Sequence, residues 1–333
     1  MDDAGRTRQM PAARPMLGAS CMLGAGASFA VVNTMIPILT NWFGVPSATL
    51  VVWQYLIATI FALPLITRIG LGALKTRHPF LHQLRALVVA AGVQAFAFGF
   101  ASGVPQWQMV ALSMTAPFFV IVGSTIFLGE KPTWQRLTAS AAGFAGALAC
   151  QQTGPGAVSW MALLPILAAI LWAAATVLTK YLAREESAES LTLYMLLLVT
   201  PNHLLITLLL GLAAVALPPG IFPHGLATGL DLGLRGANVW ILVAVLGLIT
   251  AISQYFLNLA YKAADAIFLQ PFDDLKLPIN VLCGWVLLSQ IPTLWFWPGA
   301  ALILGASLFL LRQEQAATRK AKIVSMAASA ARL

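Results

Sequence analysis

At 333 residues, with 59% apolar and 9% charged side chains and a mean hydropathy of +0.85, the chain carries roughly a third of the charge of a soluble domain, which excludes an ordinary soluble fold. Its apolar residues come in runs of about 20, enough to cross a hydrocarbon layer of about 30 Å as a helix, whereas an outer-membrane barrel needs short alternating strands. The net charge of +8 and the pI near 9.8 would attract nucleic acid in a soluble protein; in a bilayer protein basic loops set the orientation, and no nucleic-acid partner is expected.

Taken in chain order, the apolar runs predict ten transmembrane helices. The first, Leu17 to Leu39, follows a basic segment but is too long for the apolar stretch of a signal peptide and has no small-residue exit before Asn41, so it is expected to remain. Four more lie near Ser47 to Ile66, Ala86 to Val104, Gln108 to Leu128 and Leu137 to Cys150. A second set lies near Ser159 to Leu182, Leu191 to Ala214, Val239 to Tyr261, Ala266 to Leu288 and Phe296 to Leu311. The fifth and tenth are short, which calls for tilt or a thinned bilayer. Even the longest connection, Val215 to Asn238, leaves little room for a soluble domain, so function is expected within the membrane.

With the N-terminus inside and the spans alternating, 17 of the 19 Lys and Arg residues fall on the cytoplasmic side, among them Arg14, Arg68, Arg85, Arg136, Lys180, Arg184 and Lys262. Arg235 falls outside and Lys276 within a span. One helix too many or too few would put later loops on the wrong side, so the count favours ten spans with both termini cytoplasmic. The cysteines Cys21, Cys150 and Cys283 lie far apart at or within spans and suggest neither a disulfide framework nor a metal site.

Phe127-Leu-Gly-Glu-Lys-Pro-Thr133 and Leu287-Leu-Ser-Gln-Ile-Pro-Thr293 read alike, each closing one span and opening the next. Pro117 with Gly123 matches Pro278 with Gly284 after a one-residue slip, and Ala139 with Gly146 matches Gly299 with Ala306. Five helices is an odd number, so the second unit enters the membrane with reversed polarity, a 5+5 inverted repeat as in secondary transporters. The expected organisation is a cytoplasmic tail over 1–16, repeats over 17–158 and 159–311, and a basic tail over 312–333.

Polar side chains recur near mid-span: Gln54, Gln94, Asn202, His203 and Gln254. The ninth span adds Asp273, Asp274 and Lys276, where a lipid-exposed charge would cost about 2.5 to 3.5 kcal/mol. Gln270, Asp273, Lys276 and Asn280 share one helical face, which makes an Asp273–Lys276 pair available. Pro271 and Pro278 bracket the stretch and are expected to bend it. Gln254 and Asn258 lie four apart, with Tyr261 a turn further, and suit either a pocket wall or interhelical bonding. These positions define the expected substrate-binding set: Gln54, Gln94, Asn202, Gln254, Asn258, Gln270, Asp273, Asp274 and Lys276. Asp273, Asp274 and His203 are the candidates for proton coupling. Trp53 and Tyr55 are placed to stack on a flat ligand, while Trp107, Trp134, Trp160, Trp240 and Trp295 fit an interfacial belt. The stripe Ala139, Gly143, Gly146 serves internal packing or a homodimer equally. Glu130, beside Lys131 and near Arg136, reads as a salt bridge or cap at a helix end.

Phe127-Leu-Gly-Glu130, the five-plus-five arrangement and Gln270-Pro-Phe-Asp-Asp-Leu-Lys-Leu-Pro278 followed by Gly284 resemble the EamA-type branch of the drug/metabolite transporter superfamily, over nearly the whole chain. The ninth-span pattern is most similar to the subgroup of riboflavin and S-adenosylmethionine importers. The resemblance implies ten helices around a central cavity and transport of a small organic metabolite without ATP hydrolysis; amino-acid and drug exporters of the superfamily are the alternative. Ser289-Gln290 departs from the Gly-Glu usual in the second repeat. No phosphate-binding GxxxxGK[ST] loop is present.

A membrane enzyme would need converging catalytic groups, yet His78 and His82, four apart in one basic loop, have no acidic residue between Asp3 and Glu130 to complete a metal site, His203 lies in a helix and His224 outside, and the adjacent Asp273 and Asp274 point about 100° apart. A channel would need a repeated filter, and a non-transporting scaffold would have no use for a polar layer at mid-depth. The expectation is therefore an all-α polytopic secondary carrier of the inner (plasma) membrane. It needs no cofactor, metal or catalytic residue, and its partners are a small-molecule substrate and the lipid bilayer.

Overall fold

The computed structural model describes residues 14–70, 75–129, 132–150, 161, 163–216, 232–264, 266–310 and 312–313. Among them every regular element is helical, the state that satisfies backbone polar groups inside one segment when water is absent. Among the described residues seven segments are long and apolar enough to cross a bilayer: Pro15–Trp42, Ser47–Ile69, Pro79–Ala101, Gln106–Leu128, Leu163–Leu182, Ala188–Ala213 and Ala237–Ala263. The first is helix α1 (Pro15–Pro37) prolonged by a π-turn over Ile38–Trp42, and the second is α2 (Ser47–Ala62) with the short α3 (Leu65–Ile69). Next come α4 (Pro79–Ala101) and the broken pair α5 (Gln106–Ser113) and α6 (Ala116–Leu128). They are followed by α7 (Trp134–Ala149), α8 (Leu163–Leu182), α9 (Ala188–Ala216) and α10 (Ala237–Ala263). A second broken pair, α11 (Ala266–Asp274) and α12 (Lys276–Leu288), precedes α13 (Phe296–Leu310).

Both breaks fall three residues before a proline. Pro117 and Pro278 have no N–H to give to the carbonyls of Ser113 and Asp274, and each ring crowds that carbonyl. The expected bend in the ninth segment is thus a discontinuity at Leu275, and the fourth has its counterpart at Met114–Thr115. Local hydroxyl bonds compensate: Ser113 donates to Val110 O at 2.7 Å and Thr115 to Leu112 O at 2.8 Å.

The helix α4 differs from expectation. It starts at Pro79, well before Ala86, with proline in its first turn, where a missing N–H costs nothing. His82 and Arg85, read from sequence as loop residues, therefore lie in a helix and are buried. Trp107 also departs from the expected belt: it is buried against Phe296, with ring centroids 5.5 Å apart, whereas Trp134 and Trp295 are exposed.

Helix α1 packs on α10, α11 and α12; α4 packs on α8 and α9; α2 packs on α9 and α10; α6 packs on α8, and α5 on α12. Hydrocarbon gives helices little hydrophobic reason to associate, so close packing must do it. The α7–α13 contact shows this: an added Cβ on Gly299 would stand 2.5 Å from both Cys150 Sγ and Gly146 O. Gly146 thus serves internal packing, and Gly143 has nothing within 4 Å of its own Cβ position. Residues on the outward faces, such as Ile126, Phe127, Leu212 and Val286, are large, apolar and exposed, as contact with lipid requires.

Candidate functional site

The breaks and polar positions converge on a cavity of about 1230 Å³, counted to its open mouth. Aromatic side chains from five helices wall it: Phe29 of α1, Tyr55 of α2, Phe96 of α4, Trp172 of α8 and Tyr261 of α10. Flat rings with polar edges suit a flat, partly polar ligand. Within this frame the structure gathers Gln54, Gln254, Asn258, Gln270, Asp273 and Lys276. Gln54 Nε2 donates to Thr250 Oγ1 at 2.9 Å, which leaves its buried Oε1 without a partner. Asn258 donates to Thr192 Oγ1 at 3.1 Å and to Gln254 O at 2.8 Å, so it ties α10 to α9 while lining the cavity.

At the break between α11 and α12, Lys276 Nζ donates to Asp273 Oδ2 at 2.6 Å, with about a fifth of each side chain exposed. Helical i,i+3 spacing sets this pair, and partial access to the cavity spares it full desolvation. One turn on, Asn280 donates to Lys276 O at 2.7 Å and accepts from Asn33 and Gln106 at 3.0 Å each. Gln106 also donates to Thr34, and its backbone N–H is capped by Gln290 Oε1 at 2.7 Å. Gln290 therefore acts as a neutral helix cap linking α5 to the end of α12. Glu130 and Lys131 lie outside the described residues, as does Trp160.

Four expected site residues stand elsewhere. Gln94 bonds Thr207 Oγ1 at 3.2 Å, and Asn202 accepts from Gln83 at 3.0 Å while donating to Leu198 O at 2.7 Å. His203 is fully buried against Tyr55, with neither ring nitrogen partnered. Asp274 faces a separate, smaller chamber. Of the two residues flanking Gln54, Tyr55 reaches the cavity, while Trp53 turns to Leu232 O at 2.9 Å and the edge of Trp240.

Sequence reasoning missed Arg85, Asn33, Thr176 and Thr179, all cavity-lining. Asn33 was open to the mid-span argument that selected Gln54. Arg85 was hidden by its position just before an apolar run. Its guanidinium is 1% exposed and donates to Thr179 Oγ1 at 3.3 Å and to Leu191 O.

Further bonds, the first of them near Arg85 in the chain, join the ends of the helices. His82 Nε2 meets Glu186 at 2.9 Å, and Thr76 donates to the same carboxylate at 2.5 Å. Burial alone would push the Glu186 carboxyl up; hydrogen bonds from His82, Thr76 and Ser190 and the charge of His82 outweigh it and hold the group below the usual range. Lys180 Nζ donates to Ala264 O at 2.7 Å and Lys262 Nζ to Ala183 O at 2.5 Å, lashing the ends of α8 and α10 in both directions.

Residues 16–150 match the EamA-like transporter family. A riboflavin transporter of Rhizobium johnstonii is 44% identical over 92% of this chain and 95% of its own length. A riboflavin transporter of Vibrio cholerae is 35% identical over 93% and 98%. An S-adenosylmethionine uptake transporter of Rickettsia felis is 26% identical over 80% and 83%. A crystal structure of another protein, 17% identical, superposes with a TM-score of 0.58 over 90% of this chain and 97% of that one, a likeness of fold alone.

Proposed function

The chain belongs to the EamA-like transporter family of the drug/metabolite transporter superfamily, and from that premise we propose that it is a secondary carrier moving a flat heteroaromatic metabolite of the riboflavin kind by alternating access. Family membership and the seven apolar helices make it a multi-pass protein of the plasma membrane. The observation that carries the reading is the aromatic-walled cavity with an ion pair at a helix break, an arrangement typical of carrier sites.

The two-unit architecture is supported by contacts that recur in pairs. If α1, α2, α4, α5–α6 and α7 exchange with α8, α9, α10, α11–α12 and α13, the α1–α10 contact becomes α8–α4, α2–α10 becomes α9–α4, and α6–α8 becomes α12–α1. The repeated motif also ends each unit's broken helix alike: Gly129 and Ser289 are both left-handed, their N–H groups on Ser124 O and Gly284 O. On this reading ten spans form an inverted 5+5 pair, with both termini cytoplasmic on the basic-residue count. The two units rock about the cavity. In this reading the chain is a carrier, not an enzyme: the cavity groups bind and orient a solute and change no bond in it.

The test is solute counterflow in liposomes holding the purified protein, with labelled riboflavin, S-adenosylmethionine and several amino acids. Saturable riboflavin exchange that D273N loses is expected. No exchange of any of these compounds by folded protein would overturn the reading. Import is separated from export by rescue of a riboflavin auxotroph as against protection from a toxic analogue.

A further inference from the structure

Asp274 follows Asp273 in the chain but lines a different space. Adjacent helical positions diverge by about 100°, and the carboxylate of Asp274 turns into a small chamber between α6, α7, α11 and α13, about 420 Å³ when counted with the open space at its mouth. It is 5% exposed. The Ser307 hydroxyl donates to Oδ2, while Oδ1 has no partner among the described residues. Ser140, which lines the same chamber, also has its hydroxyl oxygen unpartnered.

Of the thirteen lining residues, four have polar side chains, Ser140, Gln270, Asp274 and Ser307. Asp274 is the one titratable group among these described residues, and α6, α7 and α13 contribute none to the lining. The charges that act on it are Asp273 and Lys276, and Lys276 is already engaged with Asp273 at 2.6 Å.

An ionised carboxylate this deeply buried, with no cation paired to it alone, is costly to keep. A hard metal cation takes about six oxygen ligands, several of them carboxylate, whereas the lining side chains bring a single carboxylate. A proton needs one. We propose that Asp274 is the coupling-proton site of the carrier, held apart from the substrate cavity and linked to it through Lys276. The proposal rests on the carrier reading above.

The step is an acid–base exchange: water on one side of the membrane gives a proton to the Asp274 carboxylate, and the carboxyl returns it to water on the other. When the proton leaves, the bare carboxylate draws on Lys276 and weakens its hold on Asp273 at the cavity wall. Gln270, which lines both spaces, lies between the two sites. Proton occupancy and ligand occupancy then bias the same joint at Leu275.

The test uses full-length protein in liposomes with labelled riboflavin. A one-unit inward pH gradient supports up to about tenfold accumulation at one proton per solute. Wild type should accumulate; in D274N the ratio of uptake with and without the gradient should fall to about one. Counterflow without any gradient response in wild type would overturn the proposal and leave the carrier reading standing, and acceleration by a sodium gradient at fixed pH would overturn the proton assignment. Infrared spectroscopy supplies a readout independent of transport and of riboflavin. A protonated-carboxyl band near neutral pH should be present in wild type and D273N, absent in D274N, and shifted in its pH midpoint by S307A. Absence of that band from wild type would overturn the proposal even if no substrate were exchanged.

Discussion

Replacing Lys276 with Met removes the ammonium and leaves the Asp273 carboxylate facing the cavity alone. At 2.6 Å and an effective dielectric of about 20, the gross attraction of the pair is about 6 kcal/mol. Most of it repays the desolvation of two charges, and breaking one side of a buried pair costs about 3 to 5 kcal/mol. Because a fifth of each side chain is exposed, K276M is expected to destabilise by about 2 to 4 kcal/mol. The double variant D273N/K276M leaves no bare charge and should recover to within about 1 kcal/mol of wild type. The assay is a four-point cycle of unfolding in detergent, run beside riboflavin counterflow on the same preparations. Stability should return in the double variant while exchange stays lost. Additive stabilities would refute the ion-pair energetics. Wild-type exchange by the stable double variant would show the pair to be a strut between helices and remove Asp273 from the substrate site.

Other consequences are open to similar measurement. Ser289 has φ 54°, a conformation that Gly adopts without strain and that Gly129 occupies at the end of α6, so S289G should raise stability by about 0.5 to 1 kcal/mol, read as a higher melting temperature in detergent. G299A drives a methyl into backbone and sulfur atoms of α7 and should cost about 1 to 3 kcal/mol; an unchanged melting temperature would contradict the α7–α13 contact. Glu186 has a folded pKa below its ordinary 4.5, so its stabilisation is complete above that pH and is lost as acid takes the pH down through the lower folded value. An acid-unfolding series should show this loss in wild type and a flatter profile in E186Q. R85K cannot hold both Thr179 and the Leu191 carbonyl in one planar fork and should cost about 1 to 3 kcal/mol by leaving a buried acceptor unpaired.

Much of the architecture was legible in the sequence because the bilayer makes simple demands. A run long enough to span hydrocarbon must be helical, so composition alone announces it. Pro278 within such a run announces the break at Leu275, although Pro201 and Pro271 lie inside continuous helices, and the spacing of Asp273 and Lys276 announces their pair. Hydropathy failed where a polar group is buried by a distant partner. Arg85 looks like a loop cation until Thr179 and Leu191, far along the chain, supply its acceptors. His82 depends in the same way on Glu186, and Trp107 on Phe296.

By itself the sequence determined the class of molecule, the bend beside Pro278, and the residues able to carry charge at mid-depth, since these follow from local chain properties and the thickness of the solvent. Tertiary structure alone decided which of those residues share a cavity. Asp273 and Asp274 are neighbours in the chain and equal in chemistry, yet the rotation per helical residue turns one toward the aromatic-walled space and the other toward Ser307. What each carboxylate meets depends on helices brought alongside from elsewhere in the chain, and no local pattern records that arrangement.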